Sequence, residues 1–343
     1  MLYIIIAVII FGVLIAVHEL GHFAAAKSVG VRVNEFAIGM GPAIFKKRRG
    51  DTLYSLRCLP IGGYCAMEGE DELSEDPRSF TSAKAWKRFV ILAAGSLMNF
   101  IAGFLIILIV FISAAGFYTP TIRGFDISSD VEARSGLREG DRIISVDGER
   151  IFVSSDIYTL LSRAPGDTVK LTIERGGERM VLKSGLRVKD IGSIEWEIEK
   201  AGFFTNIKYA WLNSRDFVRL VRLSLMDLLR GVVGLRDLSG PIGIVGVMSD
   251  VGKAAPSASE AIGNILFLGA FIAVNLSVMN MLPIPALDGG RIFFLIITTI
   301  IEKVGKRKVN PKYEGYIHAA GLVFFFGLMA LVALNDILKL ISG

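Results

Sequence analysis

The chain has 343 residues, 52% of them hydrophobic, and its 38 basic and 33 acidic side chains leave a net charge of +5. This is too apolar for an ordinary soluble globule and too charged for a chain built of spans alone, so it reads as several membrane spans with a water-soluble insert. The small basic excess, with no basic-aromatic cluster, excludes a nucleic-acid partner, and Cys58 and Cys65 form neither a CxxC nor a disulfide framework.

Apolar stretches of the roughly 20 residues needed to cross a bilayer occur at 2–25, 89–115, 261–283 and 315–340. In the first of them, Glu19 is the only charged side chain before Lys27, and His18-Glu19-Leu20-Gly21-His22 spells HExxH. Ionisable groups in hydrocarbon are costly and mark function. Positions i and i+4 share a helix face, so both imidazoles can reach one zinc ion. Glu19 beside them is suited to take a proton from an attacking water. The alternative is two histidines satisfied inside a helix bundle beside an unrelated glutamate. The segment is long, lacks a basic start and carries HExxH where a signal peptide would be cut, so it reads as a retained span.

Residues 26–88 follow as a basic loop, with Lys27, Arg32, Lys46, Lys47, Arg48 and Arg49, and Lys84, Lys87 and Arg88 abut the second span. Lys303, Lys306, Arg307, Lys308 and Lys312 fill the loop between the third and fourth spans. By the positive-inside rule both loops are cytoplasmic and both termini extracytoplasmic. Gly39, Gly41-Pro42, Pro60 and Gly62-Gly63 punctuate strand-like runs such as Thr52–Leu56, which predicts β-hairpin structure in loop 26–88. The acidic run Glu68–Glu72 reads as a solvated loop.

Between the second and third spans lies an extracytoplasmic insert. Short strands are expected at Arg142–Val146 and Thr168–Ile173, with a helix at Ser155–Ser162 between them. The pattern Ser135-Gly136-Leu137-Arg138-Glu139-Gly140-Asp141-Arg142-Ile143, followed by Val146-Asp147-Gly148, resembles a bacterial PDZ domain. Such a domain adds a peptide strand to a sheet edge or captures a carboxylate; a small β-rich domain without a ligand is the alternative. From Phe203 to Arg230, apolar residues recur at helical spacing, with Arg215, Arg219, Arg222 and Arg230 interspersed. This is an amphipathic helix for either a bilayer surface or a protein neighbour.

Two histidines leave a catalytic zinc one protein ligand short. Asp288, in Asn280-Met281-Leu282-Pro283-Ile284-Pro285-Ala286-Leu287-Asp288-Gly289-Gly290, is the candidate, because it follows a long uncharged apolar run. The first and third spans run in the same direction, so His22 and Asp288 fall at a common depth near the cytoplasmic side. His318, at the start of the fourth span, is the rival ligand. Pro283 and Pro285 break their helix at this level and free backbone groups for an unwound substrate. Asn280 can donate and accept, so it can clamp such a strand or bond a neighbouring span. Asn99 reads as a helix-packing residue near the site.

HELGH in the first span, Gly39-Met40-Gly41-Pro42, Gly62-Gly63-Tyr64, Gly95–Asn99, the PDZ-like insert and Leu287-Asp288-Gly289 together resemble the bacterial site-2 protease family of zinc intramembrane proteases. The resemblance runs in order over essentially the whole chain. It implies a polytopic α-helical membrane protein with about four transmembrane helices, a cytoplasmic β-hairpin loop and an inserted extracytoplasmic PDZ-like α+β domain. The expected division is 1–116 (two spans, HExxH and the loop 26–88), 117–200 (PDZ-like), 201–260 (amphipathic linker) and 261–343 (two spans and LDG). It further implies Zn2+ as cofactor, held by His18, His22 and Asp288, with Glu19 catalytic and Asn280, Pro283 and Pro285 meeting substrate. Substrates would be single-pass membrane proteins in the inner membrane, such as anti-sigma factors or remnant signal peptides, often trimmed first by an upstream site-1 protease. Known enterobacterial relatives carry two PDZ domains, whereas there is room here for one. The competing readings are a membrane chaperone or transporter with a structural zinc, in which Glu19 would be idle, and a protease open to the cytosol, which would not need its ligands at the ends of apolar spans.

Overall fold

A computed structural model of the chain describes residues 2–70, 74–126, 130–164, 166–234, 240–305 and 311–342. Asp71, Glu72, Lys306, Arg307 and Lys308 lie outside the described residues, as do the side chains of Lys312 and His318. The chain divides into two compact units, Met1–Ile106 with Leu220–Gly343, and Ile107–Arg219.

In the first unit, α1 (Leu2–Val29) leads into a two-stranded antiparallel hairpin of β1 (Val33–Arg49) and β2 (Thr52–Met67), then α2 (Ala85–Phe111). Among the described residues four helices are long and apolar enough to cross a membrane: Leu2–Val29, Ala85–Phe111, Ala258–Asn280 and Gly315–Ile337. The second and third helices both stop short of the expected span ends. The second helix stops at Phe111 instead of 115, since the chain turns and starts a strand at Gly116. The third stops at Asn280 instead of 283, because Pro283 offers no N–H and disfavours helical backbone at Leu282.

The hairpin pairs from Val33↔Met67 at its base to Arg49↔Thr52 at its tip, with register shifts along its length. Glycine is required at two of these irregularities. Gly39 has φ +85, and a Cβ there would lie 2.5 Å from the Leu59 carbonyl oxygen; Gly62 has φ +88 and presses on Met40. Ile38, Met40, Ile44, Phe45, Leu56 and Leu59 all stand exposed on this hairpin.

Two apolar clusters hold the first unit together. Ala25, Ala26, Val33, Phe36, Cys65, Met67, Ile91 and Ile292 pack the C-terminal end of α1 against the hairpin, α2 and α8 (Asp288–Gly305). Ala7, Leu14, Met248, Ile265, Ile272 and Ala273 pack its N-terminal half against α6 (Pro241–Ala254) and α7 (Ala258–Asn280). Burying such side chains contributes about 25 cal/mol per Å² of apolar area. The helix α8 falls in what reads from sequence as a basic loop. Its apolar run after Asp288 is too short to signal a span, and it buries Ile292 and Leu295 on one side only.

The second unit is a mixed α+β fold. Its strands are β3 (Gly116–Phe125), β4 (Arg142–Val146), β5 (Glu149–Arg150), β6 (Val169–Arg175), β7 (Glu178–Ser184) and β8 (Ile194–Lys200), in the sheet order β7-β6-β4-β3-β8 with β5 paired to β4. Helices α3 (Val131–Ser135) and α4 (Ser155–Ser162) flank it. The strands and helix expected at 142–146, 168–173 and 155–162 are β4, β6 and α4. Leu137, Ile143, Ile157, Leu171 and Ile173 are fully buried at its centre. The helix α5 (Phe203–Leu229) enters this unit, where two of the arginines of its periodic pattern serve internal packing. Arg215 lies over the Phe152 ring at 4.6 Å, and Arg219 is buried against Asp156 and Asp216.

Candidate metal centre

His18 and His22 lie one turn apart on α1, and Asp288 is the first residue of α8. Their ligand atoms form a nearly equilateral triangle. The two Nε2 atoms are 3.1 Å apart, and Asp288 Oδ2 is 3.2 Å from that of His18 and 3.3 Å from that of His22. Four ligands at about 2.0–2.1 Å from a tetrahedral zinc are separated by about 3.3 Å, so the triangle has the size of one face of such a site.

The electrostatics support the same fit. His22 Nδ1 bonds the Ile91 carbonyl at 2.8 Å, and since a carbonyl can only accept, Nδ1 carries the proton and Nε2 of the neutral ring presents a bare lone pair. Asp288 Oδ2 is buried and makes no hydrogen bond among the described residues. Lone pairs crowded at such distances repel one another unless a cation lies among them.

Backbone shape makes the approach possible. A Cβ on Gly95 would lie 2.3 Å from His22 Nε2 and 2.7 Å from His18 Cε1, while one on Gly21 would lie 2.4 Å from the Ala94 carbonyl oxygen. The two helices therefore cross through paired glycines. On the other side, Cβ atoms on Gly289 and Gly290 would strike the backbone of Met281–Ile284 at 2.2–2.3 Å. These glycines let α8 begin hard against the proline-broken segment, and Ala286 turns that segment with φ +77. Asn99 is buried with its amide nitrogen 3.4 Å from His18 Nδ1 and its oxygen without a partner. Exchanging the two amide ends gives a protonated His18 Nδ1 an acceptor and leaves Nε2 free to ligate.

The triangle opens into a cavity of about 500 Å³. Glu19, Asn280, Tyr64, Cys65, Glu70 and Arg291 line it with the three ligands. A Cβ on Gly63 would lie 3.5 Å from Glu19 Cγ, an ordinary contact distance, so this residue of β2 runs alongside the Glu19 side chain. Cys65 is a free, buried cysteine, and burial pushes its thiol up from the usual range. Of the residues expected to meet substrate, Asn280 reaches the cavity wall. Pro283 and Pro285 lie in the segment between α7 and α8 without lining it, and Pro285 packs against Gly321.

Of the acidic run after β2, the described residues Glu68 and Glu70 are engaged by protein partners rather than simply solvated. Glu68 accepts hydrogen bonds from Asn34 and Ser74, and Glu70 pairs with Arg291 at the cavity. Tyr64, Glu70 and Arg291 carry no signal in local spacing, except that Arg291 stands one turn beyond Asp288.

Peptidase family M50 matches residues 6–328. A Clostridium perfringens protein named as a zinc metalloprotease is 35% identical over 345 aligned positions, covering 98% of this chain and 99% of its own. A similarly named protein of Fusobacterium nucleatum is 34% identical over 98% of this chain and 99% of its own. The regulator of sigma-W protease RasP of Bacillus subtilis is 27% identical, covering 97% of each chain.

Proposed function

The chain belongs to peptidase family M50 and is a multi-pass membrane zinc metalloprotease, and from that premise we propose that it hydrolyses peptide bonds within the membrane-spanning segments of other proteins. The observation carrying this reading is the lone-pair triangle of His18, His22 and Asp288, formed where apolar helices end and open to a cavity that Glu19 lines.

In this reading His18, His22 and Asp288 hold zinc, which supplies a water acidified to near neutrality and a Lewis acid for the scissile carbonyl. Glu19 takes the proton of the attacking water and returns it to the leaving amine, a contribution worth about 10²–10⁴ in rate. A helical substrate hides its carbonyls in its own hydrogen bonds and must unwind first, and lipid offers its backbone no partners. Asn280, on the cavity wall, supplies both a donor and an acceptor to such a strand. Pro283 and Pro285 act by ending α7 there, where the Val278 and Met279 carbonyls accept from the Met281 and Leu282 N–H groups and the chain leaves the helix at the level of the cavity.

Substrates of this kind are single-pass membrane proteins, and the sigma-W name of the B. subtilis relative favours membrane regulators of transcription, such as anti-sigma factors, as one class. Remnant signal peptides form a second class, and an upstream site-1 protease would trim the first. We assign 117–200 to a PDZ-like domain that selects among substrates, and 201–260 to the amphipathic linker after it. The charge bias of the loops places 26–88 in the cytoplasm and both termini outside.

Glu19→Gln tests the chemistry. Purified protein should lose cleavage of a membrane-spanning peptide by at least about a hundredfold while keeping its zinc. Retained activity would refute the assignment of Glu19 as the base.

A further inference from the structure

We infer that Glu70 and Arg291 form a latch, an ion pair that ties the base of the β1–β2 hairpin to the helix carrying Asp288 and so closes the cavity over the metal ligands. The inference rests on the reading of that cavity as the active site.

Each partner is fixed on a different wall. Glu70 follows the last residue of β2 by three positions, and its Oε2 accepts from the Met67 N–H at 3.4 Å. The hairpin base beneath it is closed by the Glu68 N–H to the Arg32 carbonyl at 2.9 Å and the Phe80 N–H to the Glu68 carbonyl at 2.7 Å. Arg291 stands one turn after Asp288, on a helix whose first turn is wedged against Met281–Ile284 through Gly289 and Gly290. An Arg291 guanidinium nitrogen pairs with Glu70 Oε1, and both residues line the cavity that holds Glu19, Cys65 and the three ligands.

Three consequences follow from this placement. The pair spans from strand β2, whose residues Tyr64–Met67 form one cavity wall, to α8, which forms another. A chain entering between those walls must part it or pass beside it. The Glu70 side chain is only 15% exposed and that of Arg291 32%, so the pair is partly shielded from water and its loss costs more than loss of a surface pair. Because Arg291 shares a helical turn with Asp288, the pair also steadies the third ligand. Glu70 and Arg291 are therefore positioning residues that act through access and through Asp288, without contact with the reacting atoms.

Cys65 provides a readout that needs neither zinc nor substrate. It lines the cavity and is 8% exposed, whereas Cys58, the other cysteine, is exposed and is removed as Cys58→Ser. In full-length protein in membranes, alkylation of Cys65 by N-ethylmaleimide should speed up roughly tenfold in both Glu70→Gln and Arg291→Gln, as expected on losing a partly buried pair. The two substitutions act oppositely on the thiol. Losing the Glu70 charge favours the thiolate, and losing the Arg291 charge disfavours it. Faster labelling in both therefore reports access. The reversed pair, Glu70→Arg with Arg291→Glu, should bring labelling back toward the Cys58→Ser rate and restore the zinc affinity that the single variants lose. Unchanged labelling in both singles, acceleration in Glu70→Gln with slowing in Arg291→Gln, or a reversed pair no better than the singles would overturn the latch. Glu19→Gln leaves this labelling assay intact, so failure of the protease reading and failure of the latch are told apart.

Discussion

The two units each bury a cluster of ionisable groups, and the clusters are completed in opposite ways. In the second unit, Asp156 and Asp216 both meet the Arg219 guanidinium, which also donates to the Arg150 carbonyl. The cation that two carboxylates require is part of the chain. In the first unit, His18, His22 and Asp288 converge three acceptor atoms, and among the described residues no donor hydrogen-bonds Asp288 Oδ2. A buried cluster that carries its own counter-ion is a structural device, whereas one whose lone pairs converge on a common position has the chemistry of a cation site.

This contrast can be broken most severely at the glycine that allows the convergence. Gly95→Ala puts a methyl group 2.3 Å from His22 Nε2, so zinc affinity should fall by about 10–100-fold and cleavage with it. Gly263→Ala, where an added Cβ meets open space, is the control and should change neither. Titration calorimetry with zinc on both variants decides it, and equal affinities would mean that the helices can separate without harm to the site.

A smaller effect is expected in the self-completed cluster. Burial, and then the neighbouring Asp156 carboxylate, push the Asp216 carboxyl up to about 7. A carboxyl whose folded value lies above its unfolded value favours the fold at low pH, and that contribution is lost as pH rises through about 7. Thermal unfolding of this unit within the full chain should come several degrees lower at pH 8 than at pH 5.5, and Asp216→Asn should flatten the difference. A dependence of opposite sign, with unfolding later at pH 8, would show that Arg219 outweighs the carboxylate repulsion.

The same contrast explains what could be read from sequence. HExxH in an uncharged run is legible because its two spacings, i to i+4 on a helix and the length of a span, are local. Asp288 is legible at a distance of 266 residues from His22 because an acid after an apolar run is chemically out of place. Glu70 is not, because acids after a strand ordinarily face solvent, and its partner Arg291 is 221 residues away. The periodic arginines of α5 leave two readings open for a related reason, since spacing shows that a helix has two faces but not which neighbour covers them. Arg219 is buried because Asp156 and Asp216 meet it, and Asp156 comes from a different helix.

The central claim is that the first unit's cluster is a zinc site closed by nitrogen and oxygen alone, although the Cys65 thiol lines the same cavity. X-ray absorption at the zinc edge of the purified protein tests this directly. The account predicts two imidazoles and oxygen ligands at about 2.0–2.2 Å, with zinc lost in Asp288→Asn. A sulfur shell at about 2.3 Å, or a first shell unchanged in Asp288→Asn, would contradict it.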